Sequence, residues 1–253
     1  MIGGLARRSL FYFLVIVIWE VASELNLWPK FLFPSPVNVL QTLLEGLADK
    51  TFLFGILASM RRILIGYSIS LCAGVLLGLA IGRNQFLDDT LGSLVLGLQT
   101  LPSICWLPLA LLWFGLNESA IIFVVIMGAL LSITIATETG IKNAPPLLLR
   151  AGRNMGAKGA RLLFEVVVPA ALPSIISGMK QGWSFAWRSL MAGELLYGSV
   201  GLGNLLTVGR ELNDMSQVLA VMIIIVTIGL CTDYLVFSKL EKGMRRRWGL
   251  EGG

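Results

Sequence analysis

The sequence contains no histidine, and charged residues account for only 14% of its 253 positions. The absence of histidine removes the commonest metal ligand and general base. A soluble domain typically carries about 25% charged residues, so this chain has too few of them to cover a surface that faces water. Hydrophobic residues make up 56% of the chain. We therefore expect an integral membrane protein, an α-helical bundle with no catalytic machinery of its own.

Cysteine is also scarce. Cys72, Cys105 and Cys231 lie far apart within apolar stretches and form no CxxC pair. This spacing argues against a disulfide framework or a metal site and favours small buried packing residues. The net charge is +5, but the basic residues are concentrated in a few segments rather than along a stripe. That distribution is typical of a protein oriented in a membrane and not of a nucleic-acid-binding protein.

Long apolar runs predict about six membrane-spanning helices. Four runs contain no Asp, Glu, Lys or Arg, and each approaches or exceeds the roughly 20 residues that a spanning helix needs. These runs are 63–82, 91–117, 119–137 and 215–232. Two further apolar segments, 9–28 and 172–196, carry isolated charges. Pro102 and Pro108 predict a kink or a break within the run 91–117.

The distribution of basic residues predicts which side of the membrane each loop faces. Thirteen of the 20 Lys and Arg residues lie at the two termini, at Arg83 and in the segment 139–170, whereas at most five lie on the opposite side. Because positive charge accumulates in cytoplasmic loops, both termini and the segment 139–170 are predicted to be cytoplasmic. The first apolar segment follows Arg7 and Arg8 as in a signal peptide, but no small-residue cleavage site follows it, which favours a retained first helix.

Two shorter patterns predict local structure. Ser35 is typical of a helix N-cap and Pro36 of the first helical position, and the leucines that follow lie on one face. We expect a short amphipathic helix over 36–50 on the periplasmic side. Gly74, Gly78 and Gly82 repeat a small residue at every fourth position, which predicts the close approach of another helix.

The segment 139–170 differs from the other connections. Pro145 and Pro146 end any continuous helix that leaves the preceding span. The residues after them predict a short basic helix, a turn near Gly156, and a second helix that ends at Pro169. The composition leaves two interpretations open: a connection that carries positive-inside charge, or an element that docks onto a cytoplasmic partner.

The spacing of this segment resembles the docking motif of the permease subunits of bacterial ABC importers. That motif has Glu-Ala-Ala, three residues, Gly, nine residues and Ile-x-Leu-Pro. Here Arg150-Ala151-Gly152, Gly156 and Val166-x-Val168-Pro169 stand at the same intervals. Arg150 replaces the acidic residue, Gly152 replaces an alanine, and both aliphatic positions are valine.

A finer resemblance, which covers nearly the whole chain, is to the permeases of the nitrate, sulfonate, taurine and bicarbonate group. Several sequence blocks agree with that group in order and spacing. They are PSP (34–36), SxRR (59–62), LPxxxxLPLxxxWFG (101–115), RAxxxMGA (150–157), VxxPAALPxIxxG (166–178), AGE (192–194), GLG (201–203) and RRRWG (245–249).

This resemblance implies one permease domain over 1–253 with the type I ABC importer fold. Two copies of such a subunit form the pore, two cytoplasmic ATPase subunits bind the loops of residues 147–161, and an extracytoplasmic binding protein delivers a small anion of the sulfonate, taurine, nitrate or bicarbonate class. ATP and Mg bind to the partner ATPase, because this chain has no GxxxxGKS or GxxxxGKT sequence, and no cofactor is expected on the chain itself. The implied docking residues are Arg150, Ala151, Gly152, Arg153, Met155, Gly156, Ala157, Lys158 and Arg161.

The predicted span 172–196 contains the candidates for a substrate pathway. Arg188 lies about 22 Å beyond Pro173 if the helix is continuous, and an ionisable residue at such depth is a functional candidate by default. Its planar fork suits carboxylate, sulfonate or nitrate; an ion pair with Glu194 or Glu20 is the alternative. For Glu194 we favour a structural role or a gate near the outer end of the span. Trp183 and Trp187, four residues apart on one face, line a cavity or pack against the bilayer or other helices.

A stand-alone secondary transporter or channel is the competing interpretation. Such a protein needs protonatable or sodium-coordinating groups near the midplane, often on broken helices in repeated halves. The chain has few acidic residues within its apolar runs and shows no visible repeat. Both observations favour the importer subunit.

Overall fold

The computed structural model describes residues 2–25, 29 and 31–247, and all regular structure within this part of the chain is helical. The end of the first predicted span (26–28), Lys30 and the last two residues of the tail block (248–249) lie outside the described residues. The α-helices are α1 (Ile2–Glu24), α2 (Pro36–Ala48), α3 (Thr51–Arg83), α4 (Gln85–Leu87), α5 (Ser93–Gln99), α6 (Leu107–Phe114), α7 (Glu118–Lys142), α8 (Pro146–Asn154), α9 (Gly159–Leu162), α10 (Val168–Leu196), α11 (Leu202–Glu211), α12 (Met215–Thr232) and α13 (Ser238–Arg247). A 3-10 turn occupies Ser103–Trp106, and π-helical segments occupy Asp88–Gly92, Leu163–Val167 and Asp233–Phe237.

The described chain has four helices that are long and apolar enough to cross a membrane. These are Thr51–Arg83, Glu118–Lys142, Gly159–Leu196 and Met215–Met244, and the pair Gln85–Gln99 and Ser103–Phe114 adds a fifth if the pair forms one span. The helix α1 is not among them. The all-α, polytopic class is therefore confirmed, whereas the predicted count of six spans is not. The prediction of buried cysteines is wrong, since Cys72, Cys105 and Cys231 are all exposed.

The run 91–117 is broken, as its prolines predict. The helix α5 ends at Gln99, the next helical turn begins at Ser103, and the two arms differ in direction by 103°. Pro102 has no N–H to continue the helix, and its ψ of 136° turns the chain. Pro108 causes no second break, because a proline in the first turn of α6 has no helical hydrogen bond to lose.

The helix that begins at Gly159 does not end at Pro169, and this part of the sequence-based prediction is wrong. The helix continues through Pro169 to Leu196. Directly before the proline, the π-helical segment Leu163–Val167 lengthens one turn, and the N–H of Val168 donates to the carbonyl of Leu163. This wider turn gives the proline ring space, so that the chain continues as a helix.

Local capping sets the bounds of α2. The Ser35 hydroxyl accepts a hydrogen bond from the Asn38 N–H at 3.3 Å, and Pro36 is the first helical residue. At the other end the Asp49 N–H donates to the Glu45 carbonyl at 2.9 Å. The helix predicted over 36–50 is therefore confirmed to within two residues. Its periplasmic position stays a prediction.

The chain divides into two compact units. The first comprises residues 1–59 and 194–227, and the second comprises 60–193 and 228–253. Within the first unit, the Trp19 indole donates to the Pro34 carbonyl at 3.0 Å, and the Gln217 amide donates to the Leu205 carbonyl at 2.9 Å. These bonds hold α1 to the start of α2, and α12 to α11. The predicted single domain over 1–253 stays a prediction.

In the second unit, α3 and α7 pack with almost no space between them. A Cβ on Gly78 would lie 2.5 Å from Thr137 Cβ, and one on Gly74 would lie 3.0 Å from Ile133 Cβ. The close approach predicted from the glycine spacing is confirmed, and the partner helix is α7.

The two arms of the broken run and the start of α10 also pack against α7. Their buried contacts form three clusters: Ile81, Val95 and Leu131; Leu107, Ala110, Ala120 and Val124; and Ile141, Ala171 and Ile175. The helix α7 is therefore the central element of the second unit.

Candidate functional site

The segment after α7 forms a helix–turn–helix whose turn depends on glycine. Pro146 opens α8, which ends at Asn154. Gly156 has φ +87° and Gly159 has φ +57°, and both values lie in the left-handed region that favours glycine. The Ala157 N–H donates to the Gly152 carbonyl at 2.9 Å and closes the turn. The predicted turn near Gly156 is confirmed.

The predicted docking residues divide into two that hold this turn and seven that face outward. Gly152 and Ala157 are buried, and a Cβ on Gly152 would lie 2.8 Å from Val166 Cγ2. The exposed residues are Arg150, Ala151, Arg153, Met155, Gly156, Lys158 and Arg161. Met155 is 79% exposed, and Leu147 at the start of α8 is 76% exposed. The turn therefore presents apolar side chains surrounded by positive charge.

A charged cluster ties the end of α7 to the segment that follows α3. The Lys142 ammonium lies 2.5 Å from Asp88 Oδ1 and 2.8 Å from Glu138 Oε1. Lys142 is the last residue of α7, four residues before α8 begins, and Asp88 opens the π-helical segment that leads to α5. The cluster thus connects the base of the helix–turn–helix to the first arm of the broken run.

Arg188 lies at the wall of a cavity of about 420 Å³, here termed the arginine cavity. Its walls are the break between α5 and α6, the middle of α7, and α10 near Phe185 and Ala192. The guanidinium carbon lies 5.1 Å from the centroid of the Phe185 ring, a cation–π distance. Arg188 is exposed, and no carboxylate among the described residues forms an ion pair with it. Its fork of donors is therefore available to an anion.

Trp183 and Trp187 lie on the walls of a second cavity of about 420 Å³, the tryptophan cavity, which Arg188 also lines. Their rings stack with centroids 6.4 Å apart. Trp183 is buried and meets the Tyr67 ring edge-on at 5.1 Å. An ion pair of 2.8 Å between Lys180 and Asp233 lies in the same wall. Trp183 therefore packs against α3, and both tryptophans bound an open space.

Glu194 lies in the first unit and is completely buried. The Ser59 hydroxyl lies 2.9 and 2.7 Å from its two carboxylate oxygens, and the Gly203 N–H donates to Oε2 at 3.0 Å. The Leu202 N–H donates to the Ser59 oxygen at 2.9 Å. A Cβ on Gly201 would lie 2.6 Å from the carboxylate. Glu194 therefore caps the N-terminus of α11, where a negative charge is favourable.

Two residues that the sequence analysis did not single out, Gln99 and Ser132, also line cavities. The only local signal was an amide three residues before Pro102 in an otherwise uncharged run. Ser59 was noted only as part of a sequence block, although it bonds with Glu194 across 135 positions of the chain. Long-range pairs of this kind leave no periodic signal in the sequence.

A broken apolar span, an exposed arginine in a cavity wall and a basic helix–turn–helix are features that we expect of a membrane transport protein. Comparison with known proteins agrees. The chain belongs to the family described as the binding-protein-dependent transport system inner membrane component, whose model matches residues 70–246. It is therefore a multi-pass inner-membrane ABC transporter permease and not an enzyme. This membership favours the importer subunit over the stand-alone transporter or channel.

Several relatives cover nearly all of the chain. It is 34% identical to a putative ABC transporter permease of Methanocaldococcus jannaschii, over 90% of this chain and 91% of that one. It is 30% identical to the taurine transport system permease protein TauC of Escherichia coli, over 92% of this chain and 83% of that one. It is 29% identical to the nitrate import permease protein NrtB of Synechocystis, over 88% and 83%.

Solved structures confirm the fold. The chain superposes on an inward-facing structure of the MetNI methionine ABC transporter with a TM-score of 0.67 at 18% identity, over 77% of this chain and 96% of that chain. An amino acid ABC transporter solved with histidines gives a TM-score of 0.62 at 18% identity, over 79% and 95%. The predicted type I ABC permease fold is confirmed.

Proposed function

We propose that this chain is the pore-forming subunit of an ATP-driven importer for a small anion of the sulfonate, taurine, nitrate or bicarbonate class. Two copies form the pore, two ATPase subunits bind on the cytoplasmic side, and an extracytoplasmic binding protein delivers the anion. The names of relatives support this class, since they include permeases for taurine, nitrate and aliphatic sulfonates.

The observation that carries the choice of an anion is Arg188. A charged group within a membrane span is expensive and is retained where it serves a function. Arg188 is exposed in a cavity wall and has no carboxylate partner among the described residues. A guanidinium binds two oxygens of one oxyanion through parallel hydrogen bonds. Trp187 contributes an aromatic surface to a cavity wall beside Arg188. Glu194 has a structural role in this proposal, because it holds the N-terminus of α11.

The segment 139–170 is the proposed cytoplasmic docking loop, with residues 147–161 in contact with the ATPase. Its exposed side chains comprise the apolar Met155 and several arginines close to it in sequence. Apolar anchors with a charged rim are the usual anatomy of a specific interface. The basic residues at both termini and in this loop support the cytoplasmic placement of all three, with the helix 36–50 on the other side.

Co-purification tests the docking loop. The tagged chain is extracted from membranes with its candidate ATPase, and the wild type is compared with Met155→Asp and with Gly156→Asp. We expect both variants to lose the ATPase, the first through the contact surface and the second because φ +87° disfavours any residue with a Cβ.

The matched control is Phe86→Asp, a 72% exposed apolar residue outside the loop, which should retain the ATPase. If the wild type holds no ATPase under gentle extraction, or if both loop variants hold it as well as Phe86→Asp does, the docking assignment is wrong. Uptake of taurine, nitrate and bicarbonate into proteoliposomes that contain the complete transporter then identifies the anion.

A further inference from the structure

The second unit contains a third cavity, which shares one lining residue with the arginine cavity. This cavity, here termed the polar cavity, has a volume of about 540 Å³ and lies between α5, α7 and α10. Its lining residues include Thr139, Ser174, Ser177 and Gln181. Gln99 belongs to the walls of both the polar cavity and the arginine cavity.

A hydrogen bond fixes this shared side chain. The Gln99 amide nitrogen lies 3.0 Å from Ser132 Oγ, to which it donates. Ser132 is only 4% exposed, and Gln99 is half-buried. Gln99 is also the last residue of α5, directly before the break in the span. The bond therefore joins α5 to α7 at the residue that lines both cavities.

The two cavities lie toward opposite ends of α7 and α10. In the polar cavity, Thr139 stands three residues before the end of α7, and Pro173 stands five residues after the start of α10. These are the ends that the docking loop connects. In the arginine cavity, Met127 and Ala192 lie toward the other ends of the same helices. The polar cavity is thus on the docking-loop side of the Gln99–Ser132 bond.

The chemistry of the walls changes across that bond. The arginine cavity contains a guanidinium, whereas the described lining of the polar cavity has hydroxyls and amides and no charged residue. Neutral donors bind an anion less tightly than a guanidinium does. An anion that reached the polar cavity would therefore be released toward the docking-loop side rather than held.

We propose that Gln99 and Ser132 form a divider in the translocation pathway, which closes the route from Arg188 to the polar cavity until α5 and α7 separate. This inference rests on the proposed function, because it takes Arg188 as the anion contact. The docking loop connects α7 to α10, so a force applied to the loop by the ATPase acts on the walls that both cavities share. Gln99 and Ser132 are the residues whose contact such a movement breaks.

Cysteine accessibility tests the divider in the assembled transporter without nucleotide. In a background with Cys72, Cys105 and Cys231 replaced by serine, Ser103→Cys reports on the arginine cavity and Ser177→Cys on the polar cavity. A membrane-impermeant thiol reagent is added only on the docking-loop side. We expect Ser177→Cys to react readily and Ser103→Cys to be protected. Adding Gln99→Ala should raise the labelling rate of Ser103→Cys about tenfold, as expected when a partly buried hydrogen bond and the side chain that makes it are lost.

Two comparisons make the result specific. Gln181→Ala removes the same side chain from the polar cavity alone and should leave Ser103→Cys protected. Ser132→Ala removes only the acceptor of the hydrogen bond and should also increase the labelling of Ser103→Cys. It replaces Gln99→Ala as the test variant if Gln99→Ala does not assemble. The divider would be overturned if Ser103→Cys were labelled equally with Gln99→Ala, Gln181→Ala and Ser132→Ala. Rapid labelling of Ser103→Cys with Gln99 intact would also overturn it. Failure of the proposed function would appear separately, as an absence of ATP-dependent anion uptake by the wild type.

Discussion

The helix α7 presents two contrasting faces within the second unit. Toward α3, Ile133 and Thr137 meet glycines so closely that a single added carbon would collide. Toward α5, Leu131 borders the arginine cavity of about 420 Å³ and Ser132 borders the polar cavity of about 540 Å³. Adjacent residues of one helix, Ser132 and Ile133, thus face an open space and a closed contact.

This contrast separates two tasks that one helix performs. Glycines on the closed face remove the space in which α3 and α7 could move, so that the two helices act as one rigid body. On the open face, gaps and uncharged polar groups leave room for a solute and for movement of α5. We expect substitutions on the closed face to change folding and substitutions around the open face to change transport.

Gly78→Leu is expected to have the largest effect. A Cβ at this position would lie 2.5 Å from Thr137 Cβ and 2.6 Å from the Thr134 carbonyl oxygen. Overpacking of this kind costs about 3 kcal/mol or more, so we expect loss of the folded protein. Thermal unfolding in detergent and the monodisperse fraction measure it. Gly97→Leu is the control, because nothing lies within 4 Å of a Cβ there; equal stability of the two variants would refute the closed face.

Arg188→Ala should affect transport without affecting folding. Hydrogen bonds to a charged group contribute about 1.5–3 kcal/mol, so anion uptake by the complete transporter should fall roughly 10- to 100-fold. The melting temperature should stay unchanged, since Arg188 has no ion-pair partner within the described chain.

Arg188→Lys should recover only part of the uptake, because an ammonium lacks the planar fork. Arg61→Ala, at a 69% exposed arginine that pairs with Glu118 on the surface, should transport as the wild type does. A parallel loss of stability and uptake in Arg188→Ala would instead assign this arginine to the fold.

Tyr67→Phe should have a small effect on stability, because this residue lies outside the close contact between the glycines of α3 and α7. Tyr67 is on α3, but its hydroxyl donates to the Met179 carbonyl of α10 at 2.8 Å, and its ring packs on Trp183. The loss of one such bond costs about 1 kcal/mol, which a modest fall in the thermal midpoint should report. Tyr12→Phe, at a 65% exposed ring, should cause no change. A shift equal to that of Gly78→Leu would mean that this contact is part of the rigid body.

Local sequence signals predicted local structure well. Ser35 with Pro36 predicted the start of α2, Pro102 predicted the break in the span, and Gly156 predicted the turn of the docking loop. Each of these residues acts through its own backbone conformation or through a neighbour three or four positions away. Such effects are visible in a single sequence.

The pairing of distant residues could not be predicted in the same way. The glycine spacing showed that some helix approaches α3 but did not show that it is α7. Glu194 was assigned to a structural role or a gate, yet its bond with Ser59 depends on how α3 and α10 pack. The passage of the helix through Pro169 depends on a π-helical turn, and no residue type specifies such a turn.

The break between Gln99 and Ser103 limits what can surround this part of the chain within a membrane. Backbone that is not helical cannot face hydrocarbon, because its N–H and C=O groups would lose their hydrogen bonds; it persists only beside protein or water. The break borders the arginine cavity, where water would satisfy the backbone groups that have no partner in the protein. An oxyanion at Arg188 would then keep part of its hydration shell, and the Born penalty for entering the bilayer would be correspondingly smaller. By interrupting one helix, the protein carries a local region of high dielectric constant into the membrane.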